Sequence, residues 1–432
     1  MPNPTIRELA ERHWLGEGDL VFADHPVVPI LRRDAQELDD GILYIKSVSS
    51  VTALDSGDGL VFLDTGGPYD ADVVFEAARA WRPDAPMALA VFSHHHIDHV
   101  FGTARFEAEA AERGWPGPVV YGHELMASHF DRYERTRGWN AAINQRQFGL
   151  PVSTFTWPGS WRRPDSTYAE ALTLTRGELT LELHHARGET DDATWTWIPE
   201  RRLLHPGDLF VYSVPNAGNP QKVQRYLSDW ASSLRTMAGL GAEVLVSGHG
   251  LPIFGAERIE QALTDTAELL DSLEDQTVEL MNRGLSLDHV IHQVSIPAHL
   301  LDKPYLRPVY DHPQFLVRNV WRRYGGWYDG EPDNLLPAPR ADQATAWVEL
   351  AGGVDVVVAR ALALAESGDL RLACHLVEAA VLAEPTSSEA HAARTRIYDL
   401  RADQQESSMA RNILRHAARA SEANRRDLAG DY

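Results

Sequence analysis

Between Met87 and His99 the chain reads MALAVFSHHHIDH: a short apolar run that stops on four histidines and an aspartate. Such a run has the length of a buried strand, so its C-terminal end delivers Ser93-His94-His95-His96-Ile97-Asp98-His99 to one place. Burying that many ligand-type side chains without partners would be costly. The segment is therefore either a solvated His-rich turn or a metal centre, and the spacing His-x-His-x-Asp-His favours the second. Imidazole and carboxylate suit Zn²⁺ at about 2.0–2.2 Å. Alternate positions let His94 and His96 chelate one ion while Asp98 and His99 turn towards a second. His95, interleaved between them, should point the opposite way and act as a supporting histidine.

The rest of the chain repeats this grammar. Residues 42 to 64 read as two β-rich runs joined at Ser56-Gly57-Asp58-Gly59, and Tyr69 to Trp81 has helical spacing. Further runs at 172 to 186, 194 to 211 and 243 to 250 each end in polar, ligand-type residues. After Gly326 comes a segment rich in Pro, Asp and Asn, and from about Thr345 the composition is almost wholly helix-forming. A boundary between Gly330 and Asp342 follows. We expect a catalytic domain over 1–335, including a connecting segment of about 255–335, and a helical domain over 336–432. Within the latter, ALALAESGDL through RIYDL resembles a tetratricopeptide-like helix pair, with Pro385 ending the second helix.

Ser93 to His99 resembles the corresponding stretch of the metallo-β-lactamase superfamily. That resemblance implies an αββα sandwich, with a binuclear site at one edge and three more ligands downstream. Glu189, in Ala186-Arg187-Gly188-Glu189-Thr190, stands where the family usually has a histidine, and this glutamate is a mark of the alkyl sulfatase branch. Asp208, in Leu203-Leu204-His205-Pro206-Gly207-Asp208, stands at the bridging carboxylate, where alkyl sulfatases usually carry Ala-Glu-Asn. His249, in Gly248-His249-Gly250, is the last ligand, and its flanking glycines let the backbone turn sharply.

The expected metal ligands are thus His94, His96, Asp98, His99, Glu189, Asp208 and His249, holding two divalent ions, zinc first with manganese or iron as alternatives. Asp98 and Asp208 are the expected catalytic carboxylates around a metal-bridging hydroxide. Two divalent ions bring four positive charges against three from Asp98, Glu189 and Asp208, so the hydroxide brings the core to neutrality. An anionic substrate would then need basic residues from the segment after Asp208, and Asn216, Lys222 and Arg225 are the candidates. The spacing of Lys222 and Arg225 predicts one helix face, and an arginine fork matches a tetrahedral oxyanion.

A second resemblance, to the alkyl sulfatases, rests on Tyr310-Asp311-His312-Pro313-Gln314-Phe315, on Asn319 to Gly330, and on Glu349-Leu350-Ala351-Gly352-Gly353. It implies that the helical tail is a dimerisation domain, and hence a homodimer. The apolar residues expected to seek a partner are Leu362, Leu364, Leu370, Leu376, Val377 and Val381. The expected reaction is hydrolysis of an alkyl sulfate or related sulfate ester. The alternatives are another ester, a lactone, a thioester or a phosphoester on the same metals, or a non-catalytic interaction protein.

Composition removes other classes. With 40 Lys+Arg against 62 Asp+Glu, the formal charge of −22 would repel nucleic acid and anionic lipid, so neither is an expected partner. Cys374 is the only cysteine, which leaves no intramolecular disulfide and reads as a free structural thiol. No basic region followed by an apolar one opens the chain, and no window of about 20 apolar residues occurs, so the expected address is the cytoplasm.

Overall fold

The computed structural model describes residues 4–17 and 35–430. The opening of the chain, read above for an export signal, lies partly outside them. Among the described residues no helix is long and apolar enough to cross a membrane.

The described residues form two compact units. One holds the chain up to Arg135 together with Gly159–Gly326; the other holds Thr136–Pro158 and the chain from Trp327 onwards.

The first unit contains two sheets. Strands β1 (Ala35–Asp39), β2 (Ile42–Lys46), β3 (Ser50–Asp55), β4 (Leu60–Leu63), β5 (Met87–Val91), β6 (Val119–His123) and β7 (Ser166–Tyr168) lie side by side in sequence order. Pairing is antiparallel as far as β4 and parallel from there to β7. The second sheet runs in the order β13-β12-β11-β10-β9-β8, from β8 (Ala171–Arg176), β9 (Leu179–Ala186), β10 (Ala193–Ile198), β11 (Leu203–His205), β12 (Val244–Leu245) and β13 (Ile253–Phe254).

Side-chain alternation explains why these strands read as almost unbroken apolar runs. Ile42, Tyr44, Val61 and Leu63 point inward to meet Leu181, Leu183, Ile198 and Leu203 of the other sheet. Their neighbours Leu43, Ile45, Leu60 and Phe62 face outward onto Val74, Ala78, Phe106 and Phe130 of the helices Ala71–Trp81, Thr103–Arg113 and Met126–Arg135. On the far side, Trp195, Trp197, Leu204 and Leu245 are covered by Trp230, Leu234, Leu263 and Leu270 of the helices Leu227–Ala238 and Ala256–Asn282. The result is the expected αββα sandwich.

One local reading is corrected: residues 42 to 64 form three strands rather than two. The additional turn falls at Ser47-Val48-Ser49, where the Ser47 hydroxyl donates to the Ser49 carbonyl and competes with ladder pairing.

The second unit is helical, with Arg340–Ala351, Val354–Glu366, Leu370–Ala383, Ser388–Asp403 and Ser408–Glu422 following the Thr136–Pro158 segment. The last three helices open on side-chain caps from Asp369, Ser387 and Ser407. Here the expected partner-seeking residues are corrected. Leu364, Leu370, Val377 and Val381 are buried in this unit's own core, with Leu362 and Leu376 packed against it. The exposed apolar residues of this unit include Trp347, Leu350 and Val356 instead. Cys374 is a buried free thiol, as expected.

Candidate metal centre

Strand β5 ends at Val91, and its continuation carries the first candidate ligands. Among the described residues, donor atoms of His94, His96, Glu189 and Asp208 all lie within 4.8 Å of one another, and a second group of Asp98, His99 and His249 does the same. The structure therefore assembles all seven expected ligands. Asp208 joins the groups: its Oδ2 lies 3.8 Å from His94 Nε2 and 3.4 Å from His249 Nε2, and its Oδ1 lies 3.6 Å from His99 Nε2. Asp98 Oδ2 is 3.1 Å from His249 Nε2, and His96 Nδ1 is 3.8 Å from Glu189 Oε1.

These separations suit divalent ions, because ligand atoms about 2.0–2.1 Å from a tetrahedral centre are about 3.4 Å apart. The buried atoms His99 Nε2, Glu189 Oε2 and Asp208 Oδ1 have no hydrogen-bond partner, which is costly unless a cation faces them. The donor set fits two such ions.

The histidine rings are oriented from behind. His99 Nδ1 donates to Asp64 at 2.7 Å, His249 Nδ1 to the Val48 carbonyl at 3.0 Å, and His94 Nδ1 to the Ser93 hydroxyl at 3.0 Å. Each contact leaves Nε2 free to face the centre. Asp64 also accepts from the Ser93 backbone N–H and hydroxyl, so it anchors the whole histidine turn. It does so from a left-handed conformation, φ 59°, that Asp tolerates better than most residues.

Glycines admit the carboxylates. A Cβ on Gly248 would lie 2.1 Å from Asp208 Oδ1, and one on Gly207, whose φ is 55°, would meet Ser93 Cβ at 2.7 Å. Backbone bonds from Gly248 N to Gly207 O and from Ser50 N to Gly248 O stitch the His249 turn to the Asp208 turn and to β3. Trp230 supports two ligand loops at once: its indole N–H donates to the Leu209 carbonyl at 2.6 Å, and its ring closes over Gly188.

The side chains of the centre compensate one another's charge. Burial opposes charge on His249, but Asp208 and Asp98 override it and raise the imidazole to about 10. Burial pushes the Glu189 carboxyl up to about 8, against the opposing pull of Arg225. For Asp208, burial is outweighed by His249 and His99, which hold the carboxyl well below its ordinary value.

The three expected substrate contacts are all near the centre, with different roles open to them. Asn216 is buried and its amide donates to Glu189 Oε1. Arg225, 1 % exposed, donates through one terminal nitrogen to the Glu189 carbonyl, while Nη2 lies 3.4 Å from Glu189 Oε1. Arg225 Nε and Nη2 have no hydrogen-bond partner. Lys222 is half-buried, and burial followed by repulsion from Arg225 lowers its ammonium to about 8. The helix face expected for Lys222 and Arg225 is corrected: residues 223–226 form no helix, and the next helix begins at Leu227. An irregular segment nevertheless brings both cations within electrostatic range of His96.

His95 turns away from the ligands as expected. Its Nδ1 pairs with Asp192 at 2.9 Å and its Nε2 accepts from Arg132 at 3.0 Å, tying the histidine turn to the Glu189 loop. Sequence reasoning missed Asp64, Asp192, Arg132 and Trp230. Asp64 had a readable signal, an acid at a strand end before Thr65-Gly66-Gly67, and Asp192 had one in its place three residues after Glu189.

The fold is that of the metallo-β-lactamase sandwich, and residues 45–249 match the metallo-β-lactamase superfamily. Residues 286–424 match the alkyl sulfatase dimerisation family. The chain is 28% identical over 342 residues to a linear primary-alkylsulfatase of Pseudomonas sp., covering 75% of this chain and 64% of that protein. It is 25% identical over 403 residues to an alkyl/aryl-sulfatase of Saccharomyces cerevisiae, covering 84% and 61%. The chain thus spans somewhat less than two thirds of the length of these relatives. The solved structure of the stereoselective inverting sec-alkylsulfatase Pisa1 from Pseudomonas sp. superposes with a TM-score of 0.82 at 24% identity, covering 91% of this chain and 66% of that one, a likeness of fold.

Proposed function

We propose that this protein is a binuclear metal-dependent hydrolase that cleaves an alkyl sulfate or related sulfate ester, and that it works as a homodimer. The observation that carries this reading is the pair of donor groups joined by Asp208, with Arg225 and Lys222 beside them. His94, His96 and Glu189 would hold one ion, Asp98, His99 and His249 the other, and Asp208 both. When bound, the ions supply Lewis-acid activation of water and stabilise negative charge on the substrate oxygens.

The chain's own residues do the rest. Asn216 fixes the Glu189 carboxylate, while Asp64, the Val48 carbonyl and the Ser93 hydroxyl fix the imidazoles. Arg225, whose Nε and Nη2 make no hydrogen bond, and the Lys222 ammonium supply two positive charges that would orient a monoanionic sulfate ester. The alkyl sulfatase names of the relatives support this choice of substrate.

The test is turnover of dodecyl sulfate, a secondary alkyl sulfate, a neutral carboxylic ester, a lactone and a phosphodiester by metal-replete protein. Sulfates should turn over fastest. A neutral ester or lactone turned over faster than any sulfate would transfer the site to general ester hydrolysis.

A further inference from the structure

The helical unit contains a cavity of its own, of about 300 Å³, at the lower end of the range for small-molecule pockets. Five arginines line it: Arg146, Arg340, Arg394, Arg401 and Arg426. Only two carboxylates face them, Glu378 and Asp427, so three positive charges are left over in a chain whose formal charge is −22. Chance placement on so acidic a protein would favour the opposite sign.

Both carboxylates are already engaged. Glu378 accepts from Arg394 at 2.5 Å, from the Tyr398 hydroxyl at 2.8 Å and from Arg426 at 3.4 Å. Asp427 accepts from Arg146 at 2.8 Å and pairs with His416 at 2.9 Å. Arg340 and Arg401 have no carboxylate partner among the described residues. Arg394 is 3 % exposed, and clustering further cations around it stores repulsion that an anion would relieve. Ile413 and Ala417 complete the lining with apolar surface that an inorganic ion alone would not use.

We propose that this pocket is a second, metal-independent binding site for a small organic molecule with a tetrahedral oxyanion head group, phosphate or sulfate, gripped by Arg340 and Arg401. Guanidinium forks match such oxyanions in two-pronged fashion. Nothing in this proposal rests on the hydrolase reading.

The test is calorimetric titration of the full, metal-loaded chain with inorganic phosphate, inorganic sulfate and phenyl phosphate, against sodium chloride at matched ionic strength. We expect saturable binding, tightest for phenyl phosphate, that persists in His96→Ala and weakens about tenfold in Arg401→Ala. Arg340→Ala serves as the second variant, because this residue is exposed and its loss should disturb folding little. A preference for phosphate over sulfate identifies a phosphate head, and the reverse a sulfate head. Heats equalled by chloride, heats lost in His96→Ala, or unchanged titration of both arginine variants would overturn the proposal.

Discussion

The side-chain amide of Asn216 donates to Glu189 Oε1, the oxygen that faces His96 across 3.8 Å. A glutamate with three side-chain torsions is a poor ligand unless something holds it, and this bond does so. Asn216→Ala should weaken metal binding by about 10- to 100-fold, the usual effect of losing an orienting partner. Glu189→Gln, which keeps the shape and removes the charge, should lower metal content further. Competition with a chromophoric chelator measures both, and unchanged affinity in Glu189→Gln would remove it from the ligand set.

Gly248→Ala tests the closeness of the turns. Its methyl would overlap Asp208 Oδ1, so the carboxylate must move by about an ångström, a displacement that commonly costs on the order of a hundredfold in rate. The expected variant keeps its circular dichroism spectrum and loses most of its activity. Full activity would mean that Asp208 has room to relax.

Arg225→Ala separates the substrate from the metals. A lost charge-assisted contact costs about 1.5–3 kcal/mol, or about ten- to a hundredfold in kcat/KM for a sulfate ester. Neutral esters should be unaffected. Because Arg225 also touches the Glu189 carbonyl, metal content is measured alongside, and a parallel loss of metal would assign the arginine to holding Glu189 instead.

Metal binding should release protons. In the metal-free chain His249 is raised to about 10 and Glu189 to about 8, so near neutral pH both carry protons that a cation must displace. Affinity therefore falls as pH drops and rises as pH climbs through 8 towards 10. Titration at pH 7.5 in two buffers of different ionisation enthalpy should give at least about one proton released per chain. Buffer-independent heats would contradict this.

The proposed homodimer should place its interface on Trp347 and Leu350, three apart on the helix Arg340–Ala351 and 68% and 81% exposed. Full-length protein should scatter light as a dimer, and Leu350→Asp should shift it towards monomer. A wild-type monomer would refute the assembly.

The sandwich and the seven donor residues that the fold brings together were legible in the sequence because each is carried by a short local motif. Strand ends deliver their next residues to a fixed place, and alternation decides which of His94, His95 and His96 face the same way. The helical tail was legible from composition for a similar reason. What only the tertiary structure decided depends on contacts between distant segments, for which no local pattern exists. Asp64 reaches across 35 residues to His99 and Asp192 across 97 to His95. Lys222 and Arg225 approach the centre from an irregular segment, although their spacing suggested a helix. Trp347 and Leu350 are among the tail's exposed apolar residues, whereas helices within one unit bury Leu364, Val377 and Val381. Thr136–Pro158 joins the helical unit although sequence order sets it amid the catalytic one, since burial rewards whichever apolar partner the folded chain brings near.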